Sequence, residues 1–450
     1  MGRLFGTDDI RGVANEYPLT PDVIANIGRT VASIFIDANN RAKIVIGKDT
    51  RLSGDMIEDA LVSGICSTGG DVGLAGVLPT PAVAYLTSSS DATAGIVISA
   101  SHNPFFDNGI KIFDADGYKL VDNKEDEIEK LLQGEATANA AGKSMRVTGN
   151  VESLNDAPER YLAFLQNTLP GTTLFNGMKI VLDCSNGATY LVAPKLFHNL
   201  GARIKTISAD PDGQNINADC GSEHPETLIK TVIQNGANIG LAFDGDGDRL
   251  VAVDEKGQVI TGDRILAICA RTLKRKGLLK NNLVVSTVMS NLGLRLALKD
   301  LGIKHLMTQV GDRYVLEKMN TNGALIGGED SGHMIFLDQH TTGDGILTAI
   351  RLIQAMHDEN MALSELSQVM DVFPQVMLNI GVQKKPQIES VPEIMDAIRL
   401  VEDILGEKGR VLVRYSGTQP LCRVMVEGPD KDETQRYCQQ IAGVVKAALG

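Results

Sequence analysis

Asp244-Gly245-Asp246-Gly247-Asp248-Arg249 sets three carboxylates on alternate residues, with glycines between them that permit tight turning. Oxygen-only ligands suit Mg2+ or another hard divalent ion. A calcium loop of the EF-hand kind is the rival reading, because Glu255 falls at the twelfth position counted from Asp244. The sixth position, however, is Arg249, where an EF-hand requires glycine, and the flanks IGLAF and RLVAVDEKG read as strands rather than helices. A catalytic metal loop is preferred over both the EF-hand and a solvated acidic turn.

A second polar loop is Ala100-Ser101-His102-Asn103-Pro104. In isolation, Ser-His-Asn-Pro reads as an ordinary turn. Here Ser101 ends a strand-like run equivalent to the run that ends at Asp244. A phosphorylated serine would add about two negative charges. Three aspartates beside it would repel that charge unless a divalent ion lay between, so Ser101 joins the three aspartates in the expected metal set. Lys111 follows on DNGIKIF and could reach the same place as a charge stabiliser or acid–base group. The plainer alternative is an exposed lysine at a strand edge.

The third loop, Gly327-Gly328-Glu329-Asp330-Ser331-Gly332-His333, offers groups for sugar hydroxyls in Glu329 and Ser331. His333 could do the same or move a proton. The fourth, Arg414-Tyr415-Ser416-Gly417-Thr418-Gln419-Pro420 followed by Arg423, combines two arginines, two hydroxyls and glycine amides, the composition of a phosphate grip.

A loose threefold repeat positions these loops. Each unit opens with a β-branched run: KIVIGKDTR (43–51), KIVLDCSNG (179–187) and NLVVSTVMSN (282–291). A helix-like segment follows. In the first, Ile57, Leu61 and Ile65 share one face, with Ser53 as its expected N-cap. A second run comes after glycine, in GGDVGLAG, LGARIKTI and LGIKHLMT. A third buried-looking run closes each unit and leads into a polar loop: TAGIVISASHNP (93–104), ANIGLAFDGDGDR (237–249) and ALIGGEDSGH (324–333). Short apolar strands alternating with helices predict mixed or parallel sheets with helices on their faces. Ligands gather outside the carboxyl ends of such strands. From about Val372 the pattern changes to two strand pairs with two helices, a small α+β domain. The segment 131–144 (LLQGEATANAAGKS) reads as a surface loop. The expected boundaries are 1–155 for the domain with the serine loop, 156–256 for the metal loop, 257–371 for the sugar loop and 372–450 for the phosphate loop.

A chain of 450 residues exceeds one ordinary core. Its 43% hydrophobic and 22% charged content is that of a folded protein. No run approaches the roughly 20 apolar residues of a membrane span, and MGRLFGTDDIRG lacks the pattern of a secretory signal. The six scattered cysteines contain no C-x-x-C pair and fit reduced thiols in a cytoplasmic protein. A net charge of −13 argues against nucleic-acid or anionic-membrane surfaces. A phosphorylated ligand would then be held by local arginines and lysines.

Taken in this order, the four loops resemble the α-D-phosphohexomutase superfamily nearly from end to end. The matching stretches are FGTDDIRG (5–12), GKDTRLSG (47–54), ISASHNPFFDNGIK (98–111), INADCGSEHPE (216–226), VGDRYV (310–315), GGEDSGH with TTGDG (341–345), and RYSGTQPLCRVMVEG (414–428). The family usually has glycine at Asp9, glutamine at Asp330 and glutamate at Gln419. Asp330 lies in the sugar-reading loop, Gln419 keeps shape but loses a charge, and Asp9 adds one near the cleft entrance.

The resemblance implies an α/β fold: three similar mixed-sheet α/β domains and a smaller C-terminal α+β domain around a central cleft. It implies that glucosamine 6-phosphate and glucosamine 1-phosphate are interconverted toward cell-wall amino sugar. The alternatives are a sister mutase of glucose or mannose phosphates, a metal-dependent phosphatase, or a silent sugar-phosphate binder. It also implies roles. Phosphorylated Ser101 donates its phosphoryl group, with Lys111, Arg11 and His333 as catalytic candidates. Asp244, Asp246 and Asp248 hold one Mg2+ per chain. Glu329, Ser331 and His333 hold the sugar. Arg414, Ser416, Gly417, Thr418 and Arg423 hold phosphate, while His102 and Arg249 support the transfer site. Glucosamine 1,6-bisphosphate or a similar sugar bisphosphate is the expected activator. Small-molecule sugar phosphates are the expected partners, without nucleic acid or membrane, and a homodimer stays open.

Overall fold

The computed structural model describes residues 4–6, 9–37, 41–134, 148–169, 171, 173–416 and 420–450. The chain forms two compact units, Met1–Val288 with Lys304–Ser367, and Met289–Ile303 with Gln368–Gly450.

The larger unit carries three sheets built on one plan. In the first, strand Lys43–Lys48 pairs parallel to both Asp71–Val77 and Ala94–Ile98. Lys179–Asp183 does the same with Arg203–Ile207 and Ile239–Phe243, and Leu283–Thr287 with Lys304–Thr308 and Ile326–Gly328. The third strand of each set then turns back into an antiparallel partner: Asp107–Asp114, Leu250–Asp254 and Met334–Phe336 respectively. These are the three β-branched runs of each sequence repeat, in order. The polar loop of each repeat is the turn at the carboxyl end of its third strand, where helix-flanked parallel strands present ligand sites.

Side-chain burial explains why these runs are strands. Ala94–Ile98 and Ile239–Phe243 are buried at every position, as expected for strands covered on both faces. Helix Gly54–Ser67 buries Ile57, Leu61 and Ile65 on the predicted face. Each of these side chains contributes about 1.5–3 kcal/mol by leaving water. The helix packs closely on Pro21–Ile34, and a Cβ at Gly28 would meet the Leu61 carbonyl oxygen at 2.6 Å. Ser53 occupies the N-cap position but its side chain does not cap. Its backbone is in the right-handed helical region, and its hydroxyl instead accepts from Asn108 Nδ2 at 2.9 Å.

The smaller unit has a three-stranded antiparallel sheet with Leu421–Glu427 between Gln375–Gly381 and Arg410–Tyr415. Helices Pro392–Leu405 and Lys431–Leu449 bury Ile394, Val401, Ile441 and Val445 in its core. Pro392 is the first helical residue, where the missing N–H costs nothing. Helix Leu292–Asp300 belongs to the same unit, its first amide donating to Glu427 Oε2 at 3.2 Å.

Leu131 and Leu132 end helix Asp122–Leu132, so the expected surface loop does not begin at 131, and 135–144 lie outside the described residues. All six cysteines are free and buried. Among the described residues, no helix is long and apolar enough to cross a membrane.

Candidate active site

Strands Ile239–Phe243 and Leu250–Asp254 hold the acidic loop between them. Asp244, Asp246 and Asp248 are all buried, and one oxygen from each lies within 4.8 Å of the others. Asp246 Oδ1 and Asp248 Oδ1 are buried without a hydrogen-bond partner. Burial, then the charges of Asp248 and Asp246, push the Asp244 carboxyl well above its usual range. Three buried carboxylates, two of them with an orphaned oxygen, fit a hard divalent cation, which would relieve both the repulsion and the missing partners.

The acidic loop is a hub between the first and third sheets. Thr80 bonds it twice, amide to Asp246 carbonyl at 2.8 Å and hydroxyl to Asp246 Oδ2 at 2.6 Å. On the other side, Gly345 N donates to Gly247 O at 3.0 Å and Leu250 N to Gly332 O at 3.1 Å. Tyr161 from helix Ala157–Asn167 reaches Asp344 Oδ2 at 2.8 Å, beside the same loop.

Ser101 stands across from the aspartates. Its hydroxyl donates to Asp244 Oδ2 at 2.6 Å, and it is 2% exposed. Its φ is +52°, in the left-handed region, where a residue with a Cβ is uncommon and often functional.

Cations surround this meeting point. Lys111, on strand Asp107–Asp114, is 2% exposed, which removes the reading of an exposed strand-edge lysine. Its Nζ lies 2.5 Å from Asp246 Oδ2 and 3.6 Å from Asp248 Oδ2. Burial alone would lower its pKa, but the charges of Asp246 and Asp248 more than offset that, and the ammonium is held protonated. The same pairing pulls Asp246 far below the carboxylate range against its own desolvation. The Arg249 amide donates to Asp244 Oδ1 at 3.1 Å, and its Nη1 lies 3.0 Å from His102 Nδ1. Burial and then the Arg249 charge lower the His102 pKa, so a neutral His102 accepts from the guanidinium. Arg11 Nε donates to Asp9 Oδ2 at 2.7 Å, and Nη1 reaches Asn103 Oδ1 at 3.4 Å. Asp9 thus steadies Arg11 beside the serine loop.

The third loop meets the hub through an isolated bridge between Arg249 and His333. His333 is 3% exposed, with Nε2 3.2 Å from Asp312 Oδ2 and 3.9 Å from Asp248 Oδ2. Asp312 also pairs with Lys119. Glu329 is half-buried and accepts from the Gly311 amide at 3.1 Å, while Ser331 is exposed. Asp330 Oδ1 accepts from the Asp263 amide at 3.2 Å, in the first turn of helix Gly262–Arg275.

The smaller unit carries its own cluster of cations. Arg414 and half-buried Arg423 come from adjacent strands. Burial, then the Arg423 charge, lower the Arg414 pKa, and Arg423 Nε is buried without a hydrogen-bond partner. Lys385 Nζ donates to the carbonyl of buried Ser416 at 3.0 Å. Gly417, Thr418 and Gln419 lie outside the described residues.

Sequence reasoning assigned no role to Asp49, Arg51, Thr80, Asn217, Lys119 or Asp312, although all of them touch the site. One signal was available for Asn217. The 18 residues between strand Arg203–Ile207 and helix Glu226–Asn235 form no strand or helix. A structureless connection of that length inside a compact domain usually works.

Four models of one family match the chain: phosphoglucomutase/phosphomannomutase alpha/beta/alpha domain I at residues 2–139, domain II at 159–257, domain III at 261–373 and the C-terminal domain at 377–444. The phosphoglucosamine mutase of Syntrophus aciditrophicus (strain SB) is 58% identical over 450 residues, covering all of both chains. That of Syntrophobacter fumaroxidans is 56% identical, again over all of both. Among solved structures, a phosphoglucomutase/phosphomannomutase family protein of Burkholderia thailandensis superposes with a TM-score of 0.81 at 26% identity, covering 99% of this chain and 97% of that one.

Proposed function

The chain belongs to the phosphoglucomutase/phosphomannomutase family, and on that premise we propose that it interconverts glucosamine 6-phosphate and glucosamine 1-phosphate through a phosphorylated Ser101. The observation that carries the serine's role is its hydroxyl, set at 2.6 Å on a buried aspartate loop by a left-handed backbone. The substrate comes from the full-length identity to phosphoglucosamine mutases.

In the first half-reaction the free sugar hydroxyl attacks the phosphoryl group on Ser101. A new P–O bond forms to the sugar, the P–Oγ bond breaks, and the hydroxyl proton is balanced by the proton Ser101 Oγ regains. The bisphosphate turns in the site, and its other phosphoryl returns to Ser101 by the same exchange. Asp244, Asp246 and Asp248 would hold one Mg2+, which supplies charge neutralisation for the transferring group when bound. Protonated Lys111 adds a fixed cation there, a task that suits its raised pKa better than that of a resting base. Arg249 aims its charge at the same loop and is itself fixed by His102. His333, buried against Asp312, remains a candidate for moving a proton. Glu329 and Ser331 hold sugar hydroxyls, while Arg414, Ser416, Thr418 and Arg423 grip the distal phosphate. A sugar bisphosphate serves as activator by phosphorylating Ser101.

The test is a comparison of the 6-phosphates of glucosamine, glucose and mannose as substrates of the purified protein with Mg2+, followed by 31P NMR. Glucosamine 6-phosphate should give the highest kcat/KM. Preference for glucose or mannose 6-phosphate would move the chain to a sister activity, and release of inorganic phosphate as the main product would make it a phosphatase.

A further inference from the structure

Ser101 is kept in an uphill backbone conformation by bonds to its carbonyl, and those bonds come from two different domains. Arg51, on the first sheet's Lys48-to-helix connection, is wholly buried and paired with Asp49 through Nε at 2.8 Å. Its Nη2 donates to Ser101 O at 2.9 Å and Asn103 O at 2.8 Å, and its Nη1 to Asp107 O at 3.0 Å and to Pro104 O. Asn217, on the long loop beside the second sheet, donates Nδ2 to the same two carbonyls, Ser101 O at 2.9 Å and Asn103 O at 3.1 Å. Asp49 completes the frame, since Ser99 Oγ donates to it at 2.6 Å and accepts from the Ser101 amide at 2.9 Å. There is no slack on the acidic side either, where a Cβ on Gly245 would stand 2.5 Å from Ser101 O.

We propose that Arg51 and Asn217 are positioning residues for the phosphoryl transfer, gripping the Ser101 carbonyl from both sides so that its Oγ stays aimed at the aspartate loop in both covalent states. The proposal rests on Ser101 as the phosphoryl carrier. Each half-reaction adds or removes about two negative charges at Oγ, directly opposite carboxylates. An ungripped loop would relax to an ordinary backbone conformation and swing the hydroxyl away. Small misplacements of reacting atoms cost large factors in rate. Neither residue needs to touch the sugar, so substrate binding should be spared.

Asn217 gives the cleaner test, because it is half-buried and its own φ is +58°. Asn217→Gly deletes the amide while suiting that backbone. Asn217→Asp keeps the shape but turns the donor into an acceptor facing two carbonyls. Both variants of the full chain are compared with wild type for kcat, KM, thermal midpoint and the rate at which phosphorylated Ser101 is lost to water. Asn217→Gly should lower kcat about ten-fold or more with KM nearly unchanged, and Asn217→Asp should be slower still. Arg51→Lys, if it folds, should show the same split. Wild-type kcat in both Asn217 variants, or losses that follow the thermal midpoint alone, would overturn the proposal. A wild-type protein that converts no hexose phosphate and carries no phosphate on Ser101 would overturn the functional reading and this proposal with it.

Discussion

Arg414 and Arg423 are directly opposite partners across the antiparallel strands Arg410–Tyr415 and Leu421–Glu427. Like charges in that register are destabilising by themselves. Neither is joined there to a carboxylate among the described contacts, whereas Arg410 in the same strand pairs with Glu427. An anion between Arg414 and Arg423 would resolve the conflict, and the proposed sugar phosphate would bring one.

Arg414→Ala should therefore raise KM for the sugar phosphate by about ten-fold or more, since a charge-assisted bond contributes roughly 1.5–3 kcal/mol. It should also let the bisphosphate escape before its second transfer, detectable in the supernatant by 31P NMR. Inorganic phosphate should raise the wild-type thermal midpoint and leave that of the variant unmoved. A variant with normal KM and no bisphosphate release would remove this loop from substrate binding.

The aspartate trio predicts opposite effects on stability and activity. Chelation should silence the protein and Mg2+ restore it. In chelator, Asp244→Asn should raise the urea midpoint, because burial and the charges of Asp248 and Asp246 disfavour a carboxylate at that position. The same change should cost nearly all activity in Mg2+. Urea unfolding with and without the metal checks the first effect and turnover the second.

Asp344 predicts a pH dependence. Burial raises its pKa from 3.8 to about 6, despite the bonds it accepts from Leu347 N and Tyr161. A carboxyl with a raised folded pKa binds its proton more tightly folded than unfolded. Stability from this group is therefore present below about pH 4 and lost as pH rises through about 6. Asp344 is the N-cap of helix Gly345–Glu359, and Asp344→Asn keeps that cap without the charge. In chelator, it should match wild type near pH 4 and exceed it above pH 6 by up to about 3 kcal/mol, from a shift of some two units. Equal urea midpoints at both pH values would contradict the assignment.

The repeated strands were legible because buried β-branched runs announce themselves, and the placement of Ser101 and Asp244 in equivalent loops followed from that repeat, although Ser101 does not end its strand, which stops at Ile98, while Asp244 directly follows Phe243. Contacts between distant loops were not legible. Asn217 bonds Ser101 across 116 positions and Thr80 meets Asp246 across 166, and no local period encodes either meeting. Side-chain direction was equally hidden. Ser53 has the residue type of a helix cap but bonds Asn108, and Asp330 sits in the expected sugar loop but bonds the Asp263 amide. Lys111 stands between apolar neighbours, but its strand is buried continuously from Asn108 to Phe113, where the neighbouring aspartates make a buried lysine tolerable.

The phosphoryl group on Ser101 is the centre of the account, and following it through one turnover tests the account most directly. Protein labelled with 32P by a sugar bisphosphate is digested, mapped, and in parallel chased with unlabelled glucosamine 6-phosphate. The label should reside on Ser101, pass to the sugar bisphosphate within one turnover, and be absent from Ser101→Ala, whose turnover should fall by several orders of magnitude. Label on another residue, label released to water instead of sugar, or wild-type turnover in Ser101→Ala would contradict it.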